Sequence, residues 1–319
     1  MSGGASGVGS ASGVGGTSGA VCARLGGGRW HFQHGPIDLI LAVEGEFEAC
    51  ERSIAACWDR FQSVLPGLVA ELTSLRRPAH ERPAVQHPVS ARMVRACAPF
   101  AEERFITPMA AVAGAVADEL IEIFRRPGIG RAFINNGGDI ALHLTAGEQY
   151  RVGIWSNLGR VHSPGDSGRA VDSRFVVSAD MPVRGVATSG WRGRSFSLGI
   201  AESVTVLANT AAAADAAATM IANAVDCDFA GIVRVPADQL KDDTDLGSLP
   251  VTVDVPTLPP AAIAAALESG RAEAEYWHEQ GVIYAAALFL QGRVELVLPR
   301  RTATLPRTAP GITFEGAVA

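Results

Sequence analysis

From Ser203 to Asp226 the chain passes without a break from a run of β-formers into a helix made almost wholly of alanine. Ser203-Val204-Thr205-Val206-Leu207 predicts a strand, because β-branched and large apolar side chains fit a pleated, half-buried surface. Thr210 offers a capping hydroxyl to the helix that follows, and its alanines lose little entropy on ordering. Ala211 to Ala218 are nearly all small, so another backbone or a ligand can approach this helix closely. Asp215 and Thr219 are four residues apart and share one helix face. A carboxylate beside a hydroxyl is hard-oxygen chemistry of the kind Mg²⁺ accepts. The same two groups also serve, in a tightly packed helix, to satisfy neighbouring backbone groups.

Upstream, a strand over Arg184 to Thr188 runs into Ala187-Thr188-Ser189-Gly190, then into Trp191, Arg192, Gly193, Arg194, Ser195 and Ser197. Guanidinium groups take carboxylate or phosphate in two-pronged fashion, and hydroxyls add orienting bonds. Trp191 can stack on a planar ring. The set suits a small, flat, anionic substrate; the alternative is solvated arginines and a core tryptophan. Asn135, Asn136 and Asp139 flank Gly137-Gly138, where missing side chains permit close approach of a ligand, although a plain turn explains the same residues. Thr107-Pro108 predicts a helix start whose free N–H groups face an anionic ligand or, alternatively, a core helix packed through Ala and Gly. His31 and His34 titrate near neutrality and join the candidates, with core or surface roles as the plainer reading.

Ala-Thr-Ser-Gly at 187–190, Ser-Val-Thr-Val at 203–206 and Ala-Asp-Ala-Ala-Ala-Thr at 214–219 together resemble the signature of the ApbE family of flavin transferases. Asn136-Gly137-Gly138-Asp139-Ile140 resembles that family's Gly-Gly-Asp segment. TPMAAVAGAVAD, NNGGDIAL and ATSGWRGRS are most similar to a prokaryotic branch of ApbE-like proteins, and the likeness covers about Trp30 to Arg300. The resemblance implies an ApbE-like domain and Mg²⁺ held by Asp215 and Thr219. The chain also departs from the family. The His-x-x-Asp-Pro-x-x-Gly stretch that helps build the flavin site has no counterpart between Trp191 and Glu202. The helix lysine of a Lys-Gly-x-x-x-Asp pattern falls at Ala113. Flavin is therefore not expected; Mg²⁺ remains open.

Net charge is −6 and five cysteines are scattered without a CxxC pair. The first excludes electrostatic support for nucleic-acid binding, and the second argues against a zinc ribbon or disulfide framework. No apolar run is long enough for a membrane span. No basic segment precedes an apolar run at the N-terminus, so a cytoplasmic location is expected. Residues 1–28 read as a Gly/Ser-rich flexible tail, 29–305 as the ApbE-like domain and 306–319 as a loose tail.

Phe47 to Leu75 has apolar residues every three or four positions and predicts an amphipathic helix. A helix over Ser90 to Cys97 and one running from Thr107 through Arg126 follow. Strands are predicted at Arg29 to Gln33, Ile37 to Val43, Ala132 to Asn135, Asp139 to Leu144, Tyr150 to Trp155 and Arg174 to Ser178. Beyond Asp226, strands at Ile232 to Val235 and Val251 to Val255 flank an exposed polar loop at Lys241 to Asp245. A helix over Pro260 to Gln280 precedes a hairpin about Gln291-Gly292. Ser156 to Asp172 reads as a long loop. The fold class is α+β, with long helices on mixed or antiparallel sheets.

The expected function is a small-molecule enzyme on this scaffold, with hydrolysis or ring opening of a small planar carboxylated amide or heterocycle. Thr188, Ser189, Asp139 and Asp215 are its catalytic candidates. Thr107, Asn135, Asn136, Trp191, Arg192, Arg194, Ser195 and His34 are its substrate-binding candidates. Mg-dependent flavin transfer and non-catalytic metabolite binding are the alternatives. A homo-oligomer is expected, with no nucleic-acid or membrane partner.

Overall fold

Strand-forming runs and helical periodicity resolve, in a computed structural model, into thirteen strands and seven α-helices over the described residues 19–154 and 173–299. Strands β1 (Val21–Arg24), β2 (Arg29–His34) and β3 (Ile37–Gly45) come first. Helix α1 (Phe47–Ala70) runs through Pro66 and is followed by the single turn α2 (Leu72–Leu75) and by α3 (Pro88–Cys97). A 3-10 turn at Pro108–Ala111 leads into α4 (Val112–Ile121). Then come β4 (Ile129–Asn136), β5 (Asp139–Leu144), β6 (Gln149–Ile154), β7 (Ser173–Ser178), β8 (Gly185–Ser189) and β9 (Ser203–Ala208). Helix α5 (Ala211–Ala224) follows, with Thr210 accepting the Ala213 N–H at 3.2 Å, as its capping hydroxyl predicts. The chain continues through β10 (Val233–Pro236), the one-turn α6 (Ala237–Leu240), β11 (Pro250–Asp254), α7 (Pro260–Glu279), β12 (Ala285–Leu290) and β13 (Arg293–Val297).

The fold is α+β. Nine strands form one antiparallel sheet in the order β1-β2-β3-β4-β5-β8-β9-β12-β13, and β6-β7 and β10-β11 form separate hairpins. Side-chain alternation sorts the sheet into two faces. Val204, Val206, Ala208, Ala286, Leu288 and Leu290 join the core beneath the helices. Val186, Leu207, Ala285, Ala287 and Phe289 join a second core with Val152, Phe175 and Val177 of the β6-β7 hairpin. Strands β9 and β12 are buried at every position, on both faces.

Three expectations are revised. Val21–Arg24, inside the stretch read as a tail, pairs with β2, because its backbone finds an open sheet edge. The helix expected from Thr107 is broken into a 3-10 turn, α4 and a second 3-10 turn at Glu122–Phe124. Thr107 does not cap it with its hydroxyl, which is bonded to the Asp245 carboxylate instead. That contact brings Asp245 to the helix layer, while Lys241 to Asp243 stay exposed as expected. The loop expected at 156–172, the end of the strand expected at Trp155 and the tail at 306–319 lie outside the described residues.

Candidate functional site

The site grows from the crossing of α4 and α5. A Cβ added at Gly114 would lie 2.3 Å from the Ala211 carbonyl oxygen, so only glycine lets the two helices approach this closely. At this crossing Asp215 Oδ2 accepts the Gly114 N–H at 3.0 Å. One turn along α4, Asp118 accepts the Ala211 N–H at 2.9 Å and the Ala212 N–H at 2.8 Å, closing the N-terminus of α5. Burial pushes the Asp118 carboxyl up to about 6 despite those two donors. The Ala113 carbonyl accepts Asn136 Nδ2 at 3.1 Å, which ties the β4-β5 hairpin to the same helix end.

That hairpin turns on Gly137 and Gly138, with φ of 67° and 120°. Both lie in the left-handed half of the map, which glycine enters without strain. Asn136 and Asp139 are thereby direct cross-strand partners. Asn135 Oδ1 accepts the Gly138 N–H at 2.8 Å and so holds the turn. Asp139 Oδ1 accepts the Thr188 N–H at 3.3 Å.

Asp139 and Asp215 meet at a cleft with two compartments, of about 610 and 310 Å³. Both compartments are lined by these carboxyls together with Arg194, Ser195, Thr219, Arg76 and Lys241. One wall of the larger compartment is apolar, built from Leu65, Leu68, Leu72, Met109 and Val112. The protein surrounds both carboxyls, although each keeps some solvent contact through the cleft. Burial raises Asp139 to about 7, opposed by the Thr188 N–H. Burial also raises Asp215 well above the carboxylate range, and the Asp139 charge adds to the shift against the N–H groups of Gly114 and Ala113. Two carboxyls in one poorly solvated space cannot both ionise cheaply.

The family model described as AbpE bacteria matches residues 22–296. The chain belongs to this ApbE-like family. A UPF0280 protein of Methanoculleus marisnigri is 31% identical over 229 residues, 71% of this chain and 86% of that protein. A UPF0280 protein of Methanosphaerula palustris is 38% identical over 121 residues, where the match covers 38% of this chain and about half of the relative, 47%. The crystal structure of an ApbE protein from Thermotoga maritima is 13% identical, with a TM-score of 0.35, over 83% of this chain and 93% of that one.

In this ApbE-like chain the glycine and aspartate of the Lys-Gly-x-x-x-Asp pattern are structural. Gly114 permits the helix crossing and Asp118 caps α5. Ala113, at the pattern's lysine position, lines the cleft.

The structure brings Asp139, Asp215, Thr219, Ser189, Arg194, Ser195 and Asn136 together around the cleft. Thr107 lines the smaller compartment, with its hydroxyl engaged by Asp245. Thr188 contributes its N–H, but its hydroxyl lies 2.9 Å from Thr205 Oγ1. Strand alternation explains this, since Ala187 belongs to the helix-side core and Val186 to the other. Ser189 therefore faces the helices with Ala187, and Thr188 does not. Four candidates lie elsewhere. Trp191 packs against the helix-side core, and the Arg192 guanidinium carbon stacks 4.6 Å from its ring centroid. His34 packs edge-on to Phe61, with ring centroids 6.2 Å apart. Asn135 serves the turn.

Sequence reasoning missed Arg76, Lys241 and the apolar wall. Arg76 and Lys241 sit in polar loops, and Leu65, Leu68 and Leu72 of the wall lie on a stretch read purely as packing. The wall could have been suspected from its length: the apolar repeat extends past Pro66 to Leu75.

Mg²⁺ asks for about six oxygens near 2.0–2.1 Å. Asp215 commits one oxygen to an N–H donor, Thr219 adds a hydroxyl, and Asp139 is the second carboxyl nearby. Among the described residues no group of three or more His, Cys, Asp or Glu is gathered for a metal. The donor set does not fit a dedicated Mg²⁺ site; it fits a carboxyl pair held by backbone amides. No helix among the described residues is long and apolar enough to cross a membrane.

Proposed function

We propose that this chain is a small-molecule enzyme that uses the Asp139–Asp215 pair for proton transfer, with hydrolysis or ring opening of a small planar carboxylated amide or heterocycle as its reaction. The observation that carries the reading is the pair itself, with burial raising Asp139 to about 7 and Asp215 well above the ordinary aspartate value. A group works best as general acid or base when its pKa lies near the working pH. Two neighbouring carboxyls with separated affinities divide those roles. Asp139, ionised, takes a proton from water as the water oxygen bonds to the amide carbon. Asp215, still protonated, gives its proton to the departing nitrogen as the C–N bond breaks. Ser189 and Ser195 orient the substrate, Arg194 takes its negative charge, and the apolar wall of α1 and α2 holds its flat body.

The test is incubation with five- and six-membered lactams and N-heterocycles that carry a carboxylate, read by mass spectrometry for the gain of one water. Turnover in the wild type, lost in Asp139→Asn and retained after exhaustive EDTA treatment, is expected. A panel left unchanged by the wild type removes the reading.

Flavin transfer is the second reading, favoured by family membership and by Asp215 and Thr219 lining one cleft. Incubation with FAD, Mg²⁺ and a flavinylatable acceptor protein separates the two. No covalent flavin fluorescence is expected, and robust labelling establishes the second reading. The proposal also takes the protein to be a cytoplasmic homo-oligomer, which cell fractionation and gel filtration test.

A further inference from the structure

Lysine occurs once in the 319 residues, at position 241, although lysine and arginine together number 27. That lysine lines both compartments of the cleft beside Asp139, Asp215 and Arg194. It follows α6 directly, and its own N–H donates to the Ala237 carbonyl at 3.1 Å, which fixes its backbone. The chain just beyond it is tied to the helix layer twice, through Arg76 and Asp243 at 3.1 Å and through Thr107 and Asp245. Those contacts engage two of the carboxylates that follow Lys241 in sequence. Among the described residues neither Lys241 nor Arg194 has an ion-pair partner. Here the anchored loop places an exposed Lys241 in the lining of both compartments.

We infer that Lys241 is the anion-recognition residue of this cleft: with Arg194 it holds a substrate oxyanion, carboxylate or phosphate, at the seam of the two compartments. The inference rests on the reading of the cleft as a substrate site. The two cations have complementary properties. The Arg194 guanidinium is a rigid fork that matches two oxygens at once. It comes close over the turn, since a Cβ on Gly137 would lie 2.8 Å from Arg194 Nη1. The Lys241 ammonium is a compact charge with three donors on a flexible stem, so it can follow a ligand in and out. A ligand held this way keeps its charge at the seam and lays its apolar body along Leu65, Leu68 and Leu72.

A single lysine makes the test direct. Binding of nicotinate, benzoate and inorganic phosphate is measured by calorimetry on the wild type, Lys241→Ala and Lys241→Gln, with melting temperatures recorded for each. In parallel, acetylation of Lys241 by acetic anhydride is followed by mass spectrometry in the wild type with and without each probe. At least one probe is expected to bind the wild type, to lose at least tenfold in affinity in both variants at unchanged melting temperature, and to slow acetylation of Lys241. The probe that does so, carboxylate or phosphate, identifies the oxyanion. A probe that binds wild type and variants alike removes Lys241 from recognition and leaves the cleft reading standing. Lost affinity without protection from acetylation also overturns the inference, because the lysine then acts without contact. If no probe binds the wild type, both the inference and the cleft reading fall.

Discussion

Asp215 of α5 accepts a hydrogen bond from the Gly114 N–H of α4 at 3.0 Å, at the point where the Gly114 Cα lies against the α5 backbone. Close packing and the polarity of the cleft therefore depend on the same two residues. Gly114→Ala would force a methyl to 2.3 Å from the Ala211 carbonyl oxygen, backbone that cannot swing aside. Overpacking of this kind costs about 1–3 kcal/mol, so a clear drop in melting temperature is expected, with loss of ligand binding as Asp215 shifts. An unchanged melting temperature would show that the crossing is looser than described.

Asp139 and Asp118 give the stability a pH dependence of defined sign. Burial raises both, to about 7 and about 6, so the folded chain holds protons that the unfolded chain has released. Their contribution is fully present at pH below about 4, where the unfolded carboxyls are also protonated, and is lost as pH rises through the folded values. Asp139→Asn keeps an acceptor for the Thr188 N–H and removes the buried charge. It is expected to melt higher than wild type at pH 8 and alike at pH 4, while losing turnover. Thermal melts across that range check it; a lower melting temperature at pH 8 contradicts it.

Asp118→Ala leaves two N–H groups at the start of α5 without partners. Each buried unsatisfied donor costs about 1–3 kcal/mol, so this is expected to be among the most destabilising single changes. Asp118→Asn retains one acceptor oxygen and is expected to fall between the two. Denaturant unfolding of the three proteins gives the order.

The hydroxyls of Thr188 and Ser189 are expected to behave differently despite their adjacency. Thr188→Val removes the bond to Thr205 and costs about 1 kcal/mol of stability, with little effect on ligand affinity. Ser189→Ala is expected to weaken the ligand and leave the melting temperature nearly unchanged. The opposite pattern would place the wrong face of β8 on the cleft.

Arg192→Ala and Arg194→Ala separate in the same way. Arg194 lines both compartments, and losing a charge-assisted bond of about 1.5–3 kcal/mol costs at least tenfold in affinity. Arg192 stacks on Trp191 outside the cleft, so its loss is expected to leave affinity alone.

The sequence by itself determined where most of the elements lie, because strand and helix signals act over a few residues. The β-formers of β9, the Thr210 cap and the alanines of α5 all appear where local propensity puts them. The glycines at 137 and 138 likewise signalled a turn, and the structure sets Asn136 opposite Asp139 across it. The family motifs pointed to Asp215, Thr219 and the Gly-Gly-Asp hairpin as neighbours in one site. Tertiary structure alone decided what those groups do. Side-chain direction in β8 depends on which face the helices cover, so the sequence could not tell Thr188 from Ser189. Arg192 and Arg194 carry the same local signal and differ because Trp191, packed against the core, holds Arg192 over its ring. Lys241 lies in a loop without periodicity, and only distant partners, Arg76 and Thr107, fold that loop against the cleft. The pKa of a carboxyl is likewise a property of its surroundings. Asp139 and Asp215 are raised together only where two helices and a hairpin, far apart in the chain, crowd both.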